Sequence, residues 1–316
     1  MNRNRLAFLD YFFILRPILF FPGWSTMLAG YFIGYKYLIY APMLSGPEID
    51  YLTLILLLIT YGMLMGSVFV LNQLCDIESD QQNKKLFFIA DGMIPVRNAM
   101  IEVVVLAVGS IGLGFYLNRA LGITYLLFFA LTGLLYNYAP FRLKDRPWGS
   151  LFANAVMGGL AFAIGWLAVN PWGSSILTDV IPYISFNTSL YFFTTFPDIE
   201  GDRKAGKKTL AVKFGHEKII IASFSLFIAG AVSTFILNDM QAMIFYGLSL
   251  PFFIRTAVTR EIADSIRTTK FGIFFFALSI CLKWPVYLMV MVAGFFGTRL
   301  YFGKRFGMSY PNFLGK

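Results

Sequence analysis

Long runs of apolar residues, each separated from the next by a short polar or charged connection, dominate the chain. An α-helix needs about 17–25 such residues to cross a bilayer. The pattern predicts nine spans, of which the first is long enough for Pro17 and Pro22 to tilt or kink it. The predicted spans lie at 11–40, 50–73, 95–117, 120–138, 149–170, 176–196, 217–237, 240–258 and 271–297.

The composition supports a membrane protein. Of 316 residues, 58% are hydrophobic and only 14% are charged, whereas a soluble domain averages about 45–50% and about 25%. A soluble core would have to hide 35 Phe and 17 Tyr. We therefore predict an all-α, polytopic membrane protein in which residues 1–316 form a single transmembrane domain. Two cysteines and one histidine exclude a disulfide framework and a metal site rich in either residue.

Basic residues are concentrated in alternate connections, which orients the predicted spans. The intervening connections hold only Lys36 and Arg119. This bias places the N-terminus and the basic connections in the cytoplasm and the tail after the ninth span outside. The net charge of +9 favours anionic lipid or an anionic substrate over nucleic acid, because the charges form no continuous stripe. The basic connections hold Lys84, Lys85 and Arg97; Arg142, Lys144 and Arg146; Arg203, Lys204, Lys207, Lys208, Lys213 and Lys218; and Arg255, Arg260, Arg267 and Lys270.

Two of these cytoplasmic connections carry similar acidic segments. Residues 76–85 read DIESDQQNKK and residues 198–208 read DIEGDRKAGKK, and each follows the end of an even-numbered span. Duplicated segments at corresponding positions of a membrane protein indicate a shared site. The alternative is that both connections are merely solvated charge.

The repeated aspartates have the spacing and the chemistry of a magnesium site. Asp76 and Asp80 are four residues apart, as are Asp198 and Asp202, so a helix would stack each pair on one face. Asn72 adds a neutral oxygen to the first pair. Oxygen ligands alone suit Mg²⁺, which combines a few carboxylates with substrate phosphates. Two such clusters facing one another would hold two Mg²⁺ ions bridged by a diphosphate.

Basic residues beside the acidic clusters would complete a diphosphate site, because lysine and arginine neutralise phosphate oxygens. Arg142 and Lys144 lie two residues apart, so an extended segment after Pro140 would send both to one side, towards the aspartates. Tyr136 precedes that segment by one helical turn. Arg16 is costly within an apolar span, which marks it as functional. The predicted diphosphate-binding residues are Arg16, Asn72, Lys84, Lys85, Arg142, Lys144, Lys204 and Lys207, with Tyr136 reaching the same oxygens.

Together these segments resemble the UbiA superfamily of intramembrane prenyltransferases. The family's first signature, N-x3-D-x3-D, is found here at 72–80. Its second signature, D-x3-D, is found at 198–202, within the segment DIEGDRKAGKKTL. The intervening Y-x3-P-x-R-L-K segment runs from Tyr136 to Lys144, and Leu15-Arg16-Pro17 matches an N-terminal L-R-P. The chain departs from the family pattern at Thr194-Thr195, where many members have Lys-Asp, and at LFFIADG, which replaces Arg-Pro-x-x-x-Gly.

The resemblance implies a bundle of about nine transmembrane helices around a central cavity, capped by the two aspartate-rich loops. It implies Mg²⁺ as cofactor and catalytic roles for Asp76, Asp80, Asp198, Asp202 and Tyr136. It also implies transfer of an isoprenyl group from a polyprenyl diphosphate to a hydrophobic acceptor, either an aromatic quinone or chlorophyll precursor or a lipid, with release of diphosphate. The acceptor, the prenyl chain length and the oligomeric state are not readable from the sequence.

Two other classes of function compete with this interpretation. A transporter with a repeated cation site would also place carboxylates near the membrane. The adjacent lysines favour an anionic substrate over a cation pathway. A CDP-alcohol-type transferase is disfavoured because its D-x2-D-G-x2-A-R signature is absent from the sequence.

Overall fold

The computed structural model describes residues 3–39, 50–83, 87–197, 199–204 and 208–311. These residues form helices joined by short connections, and none of them lies in a strand. Ten of the described helices have eleven residues or more. They are α1 (Phe20–Ile39), α2 (Tyr51–Cys75), α3 (Val96–Leu117), α4 (Arg119–Phe129), α5 (Pro147–Leu167), α6 (Ile181–Thr194), α7 (His216–Ile236), α8 (Met240–Thr259), α9 (Ile262–Lys283) and α10 (Val286–Phe306).

Eight helical segments of the described chain are long and apolar enough to cross a bilayer, in rough agreement with the nine predicted spans. The outward positions of α3 are apolar: Val104, Val105 and Val108 are all more than half exposed. A helix whose outward positions are valines is stable where those positions contact lipid. The protein is therefore an integral, multi-pass membrane protein, and the all-α prediction is confirmed.

The last predicted span, 271–297, differs from the structure. The apolar stretch is divided into α9, which ends at Lys283, and α10, which begins at Val286. Trp284 and Pro285 separate the two helices, because a proline cannot continue the hydrogen-bonding pattern of a helix and disfavours helical backbone in the residue before it. This described stretch thus forms two long helices where the sequence pattern predicts a single span.

The first predicted span contains the expected break. Arg16 has left-handed backbone angles, with φ of 58° and ψ of 54°, and a single 3-10 turn at Pro17–Leu19 follows it. Pro17 excludes the ordinary helical conformation at Arg16. Pro22 lies in the first turn of α1, where proline is tolerated. The kink therefore arises at Pro17 and turns the backbone at Arg16.

The chain divides into two compact units. The single domain over 1–316 and its central cavity stay predictions. Unit 1 comprises Met1–Trp24, Glu48–Ala139 and Leu288–Asn312, and unit 2 comprises Ser25–Pro47, Pro140–Tyr287 and Phe313–Lys316.

In unit 1, α2 packs along α3, and α4 packs on both. Asp50 caps α2 by accepting hydrogen bonds from the backbone N–H groups of Leu52 and Thr53 at 3.0 and 3.1 Å. Deeper in the unit, the hydroxyls of Thr60 and Tyr125 are 2.8 Å apart. These contacts hold α2, whose C-terminal end carries the first aspartate motif.

Unit 2 is built around aromatic side chains. The ring of Phe186 in α6 lies 4.6 Å from that of Phe245 and 5.1 Å from that of Tyr246, centroid to centroid. The Tyr183 hydroxyl donates to Asp239 Oδ2 at 2.8 Å, which satisfies a buried polar pair. This core fixes α6, which leads into the second aspartate motif.

Two glycines let α1 and α5 pack backbone to backbone within unit 2. A Cβ atom on Gly30 would lie 1.9 Å from the carbonyl oxygen of Phe162, and one on Gly165 would lie 1.8 Å from that of Met27. Small residues at helix interfaces allow this close approach in membranes. The pair therefore fixes the spacing of the two helices.

Candidate active site

The first aspartate motif spans the end of α2 and the beginning of a short helix, Ile77–Asn83. Asp76 sits at the junction, and the Asp80 N–H donates to its carbonyl oxygen at 2.8 Å. This turn directs Asp80 into the protein, where it is 9% exposed, while Glu78 faces outwards. Asn72 and Asp76 are half-buried. The structure therefore buries Asp80 and exposes Glu78, two residues earlier in the same short helix.

Arg16 lies beside this motif. Its guanidinium carbon is 6.0 Å from the ring centroid of Phe69, one turn before the motif, and its charge interacts with that of Asp80. Gln73 joins the two segments, because its Nε2 donates to the carbonyl oxygen of Ile14 at 2.9 Å. The structure thus brings together Arg16 and the first motif, as an anion site requires. Gln73 was missed in the sequence, although an amide in an apolar run is itself a signal.

The end of the fourth predicted span is a π-helix, Ala130–Leu135, which widens α4 immediately before Tyr136. Such π-bulges are frequent at functional sites. Tyr136 is half-buried. Two residues on, the Tyr138 side chain is exposed.

The predicted extended segment after Pro140 is wrong. Arg142 has left-handed backbone angles, and Leu143–Asp145 forms a 3-10 turn. The turn brings Arg142 Nε to 2.9 Å from Asp145 Oδ2, so the guanidinium is engaged within its own loop and half exposed. Arg146 Nη2 stabilises the turn by donating to the Pro140 carbonyl at 2.8 Å. Lys144 is half-buried. A local i,i+3 ion pair overrides the alternation expected of an extended chain.

The second motif follows the C-terminal end of α6. Thr194 and Thr195, which replace Lys-Asp of the family pattern, donate to the carbonyl oxygens of Tyr191 and Phe192 at 2.7 and 2.9 Å. The two hydroxyls therefore supply hydrogen bonds to backbone carbonyl oxygens in the last turn of their own helix. The next helix, Ile199–Lys204, carries Asp202, which is half-buried.

Tyr191 of α6 lies near the second motif, where it interacts electrostatically with Asp202. Helix α6, which carries it, packs against α5. Tyr191 was missed because a tyrosine in an apolar span is indistinguishable from a packing residue. Several predicted site residues are not described: Lys84, Lys85, Asp198 and Lys207 lie outside the described residues, as does the side chain of Lys204.

The donor chemistry fits a hard divalent cation. The first motif offers the amide oxygen of Asn72 and the carboxylates of Asp76 and Asp80, and the described part of the second offers Asp202. Among the described residues, no group of three Asp, Glu, His or Cys side chains comes together. Each motif therefore needs further oxygens, which phosphate and water can supply to Mg²⁺.

Comparison with known proteins identifies the class. Residues 26–267 match the UbiA prenyltransferase family, and the chain belongs to that family. A UbiA homologue of Archaeoglobus fulgidus, solved with DMAPP and Mg²⁺, has the same fold. It aligns with a TM-score of 0.66 at 20% sequence identity, covering 90% of this chain and 99% of the homologue. The same homologue solved with GPP and Mg²⁺ gives an equal TM-score at 21% identity.

Two curated relatives show how far the sequence similarity extends. A 2-acyl-4-prenylphloroglucinol 6-prenyltransferase of Humulus lupulus is 29% identical over 186 residues, which are 56% of this chain and 46% of the relative. A digeranylgeranylglyceryl phosphate synthase of Sulfurisphaera tokodaii is 30% identical over 190 residues, which are 58% of this chain and 65% of the relative. The matched regions thus span about half of the first relative and under two-thirds of the second.

Proposed function

We propose that the protein is a Mg²⁺-dependent intramembrane prenyltransferase. It transfers an isoprenyl group from a polyprenyl diphosphate to an aromatic or lipid acceptor and releases diphosphate. The observation that carries the proposal is that Asp80, in the short helix after α2, is buried within the electrostatic reach of Arg16. A carboxylate and a guanidinium at such a position suit a metal-bound phosphate group.

Both aspartate motifs serve this reaction in our proposal. Asn72, Asp76 and Asp80 of the first motif and Asp198 and Asp202 of the second would hold two Mg²⁺ ions. When bound, Mg²⁺ neutralises the negative charge that develops on the departing diphosphate. This assignment is supported by the structures of a homologue that were solved with an isoprenyl diphosphate and Mg²⁺.

The residues of the chain bind and orient the substrate. Arg16 takes up phosphate charge at the first motif, and Arg142 and Lys144, with Lys84, Lys85, Lys204 and Lys207, are further candidates for that role. The bond between the allylic carbon and the diphosphate oxygen breaks, and its electron pair leaves with the diphosphate. An electron pair of the acceptor then forms the new bond to the allylic carbon, and the acceptor loses a proton. The hydroxyl of Tyr136 donates a hydrogen bond to the phosphate oxygens.

The direct test is diphosphate release by the purified protein in detergent or nanodiscs. Geranylgeranyl diphosphate and Mg²⁺ are mixed with hydroxybenzoate, naphthoate, homogentisate or a glyceryl lipid phosphate, and inorganic diphosphate and prenylated product are measured. We expect equal molar yields of both with at least one acceptor. A transporter would release no diphosphate with any of them, and that result would end the proposal.

A further inference from the structure

Helices α8 and α9 form a hairpin in unit 2, and a buried aspartate lies where they meet. Asp264, in the first turn of α9, is 2% exposed. Its Oδ2 accepts from Arg255 Nε at 3.0 Å and from the Thr259 hydroxyl at 2.9 Å. Its Oδ1 accepts from Arg267 Nη1 at 3.1 Å. Both carboxylate oxygens are therefore engaged, and one aspartate holds an arginine from each helix.

The hairpin around this cluster is tightly connected. Only Arg260 and Glu261 separate the two helices, and Arg260 ends α8 with left-handed backbone angles. Close to Asp264, the buried hydroxyls of Thr256 in α8 and Thr268 in α9 are 2.8 Å apart. This contact and the shared carboxylate fix the two arginines relative to each other.

Both guanidinium groups keep most of their hydrogen-bonding capacity. The side chains of Arg255 and Arg267 are 62% and 59% exposed, although each contacts Asp264. A guanidinium has five N–H donors in a planar fork, and the hydrogen bonds to Asp264 use one donor of each. Two arginines and one aspartate also leave a net positive charge at the surface. The cluster can therefore bind an anion with its remaining donors.

An aromatic stripe continues from the arginines along both helices. Phe252 precedes Arg255 by three residues and Phe271 follows Arg267 by four, so each ring lies on the same helix face as its arginine. The two rings stack with centroids 4.6 Å apart, and the ring of Phe275 lies 5.9 Å from that of Phe271. Phe271 is 41% exposed. At the rise of an α-helix, Phe271 and Phe275 lie about 6 and about 12 Å along the axis from Arg267.

This separation of charge and apolar surface matches a phospholipid. The polar head-group region of a bilayer is about 5–8 Å deep on each side, so arginines at the phosphate level place the stripe beside the acyl chains. An arginine fork binds phosphate oxygens in pairs, and basic pockets between spanning helices bind anionic head groups. Neither α8 nor α9 carries a residue of the aspartate motifs. A free phosphate would leave the aromatic stripe unused.

We propose that the α8–α9 hairpin binds an anionic phospholipid. Arg255 and Arg267, oriented by Asp264, bind its phosphate, and the stripe of Phe252, Phe271 and Phe275 contacts an acyl chain. The site is separate from the proposed catalytic function. The competing explanation is that these arginines only orient the spans, which requires positive charge but no carboxylate that holds two of them together.

Two variants with the same change in net charge separate these explanations. Arg255→Gln/Arg267→Gln/Asp264→Asn removes two positive charges and one negative charge, and it leaves no buried charge unpaired. Arg97→Gln, the matched control, removes one positive charge from an exposed arginine in the first turn of α3 in unit 1. Native mass spectrometry in a neutral detergent counts bound phosphatidylglycerol over a range of lipid concentrations. We expect the triple variant to bind the lipid about 5- to 30-fold more weakly and the control to stay within about twofold of the parent protein. Equal losses in both variants would leave charge alone as the cause and refute the site.

Measurements on the parent protein decide the question even if the triple variant does not fold. Phosphatidylglycerol should bind at least about 5-fold more tightly than phosphatidylcholine with the same acyl chains, because only the first carries a net negative charge. Equal affinities of the two lipids would overturn the proposal. Inorganic phosphate at the same concentration should leave the bound lipid in place. Displacement of the lipid would assign the cluster to free phosphate and would also overturn the proposal.

Discussion

Replacing Gly165 by alanine should destabilise the protein, because the new methyl group has no space. Its Cβ would lie 1.8 Å from the carbonyl oxygen of Met27, and contacts below 3.0 Å are essentially never found. Helices α1 and α5 would therefore have to separate by at least about 1.2 Å, the difference between these two distances. Overpacking of this kind costs about 1–3 kcal/mol. The obstacle is backbone, so no rotamer change can relieve it.

Gly247→Ala is the matched control, since a Cβ there meets nothing within 4 Å. It also gains helix propensity, which amounts to about 1 kcal/mol in soluble helices. Thermal unfolding in detergent should show Gly165→Ala several degrees below the parent protein and Gly247→Ala at or above it. A midpoint for Gly165→Ala equal to that of the control would refute the close approach of the two helices.

Two further predictions concern topology and the loop after Pro140. Cysteines placed at Glu78 and Met308 should react with a membrane-impermeant reagent from the cytoplasmic side, because α10 returns the tail to the face of the N-terminus and its predicted outside position is wrong. A cysteine at Trp172 should react from the opposite side. Labelling of the first two from different faces would contradict the contact of Arg305 in α10 with Asp10 in the N-terminal segment. Arg142→Gln and Lys144→Gln should each lower kcat in steady-state kinetics if the loop acts on the transition state. Unchanged constants in both variants would remove it from the site.

Much of the fold could be predicted from the sequence, because lipid demands long apolar runs and α-helices satisfy their own backbone within them. The position of the first motif followed for the same reason: Asp76 ends the apolar run of α2. The four-residue spacing predicted only that Asp76 and Asp80 share a helix face; the structure places Asp76 at the junction and Asp80 in a separate short helix.

Features that depend on local competition or distant contacts could not be predicted. The Arg142–Asp145 ion pair folds a loop whose alternation indicated an extended segment. The break between α9 and α10 lies inside one apolar run, which hydropathy alone assigns to a single span. The hydrogen bond from Arg305 to Asp10 joins residues that are far apart in the sequence, and no local signal marks it.

The central claim is that Asp80 acts in a magnesium–diphosphate site, and a pair of isosteric variants tests it most directly. Asp80→Asn and Glu78→Gln each remove one negative charge from the same short helix, but Asp80 is buried beside Arg16 and Glu78 is exposed. Diphosphate release is measured for both over a range of Mg²⁺ concentrations. Asp80→Asn should lose about 100-fold or more in kcat/KM, comparable to the loss of a transition-state contact, while Glu78→Gln stays within about twofold. Equal activities of the two variants at saturating Mg²⁺ would contradict the account.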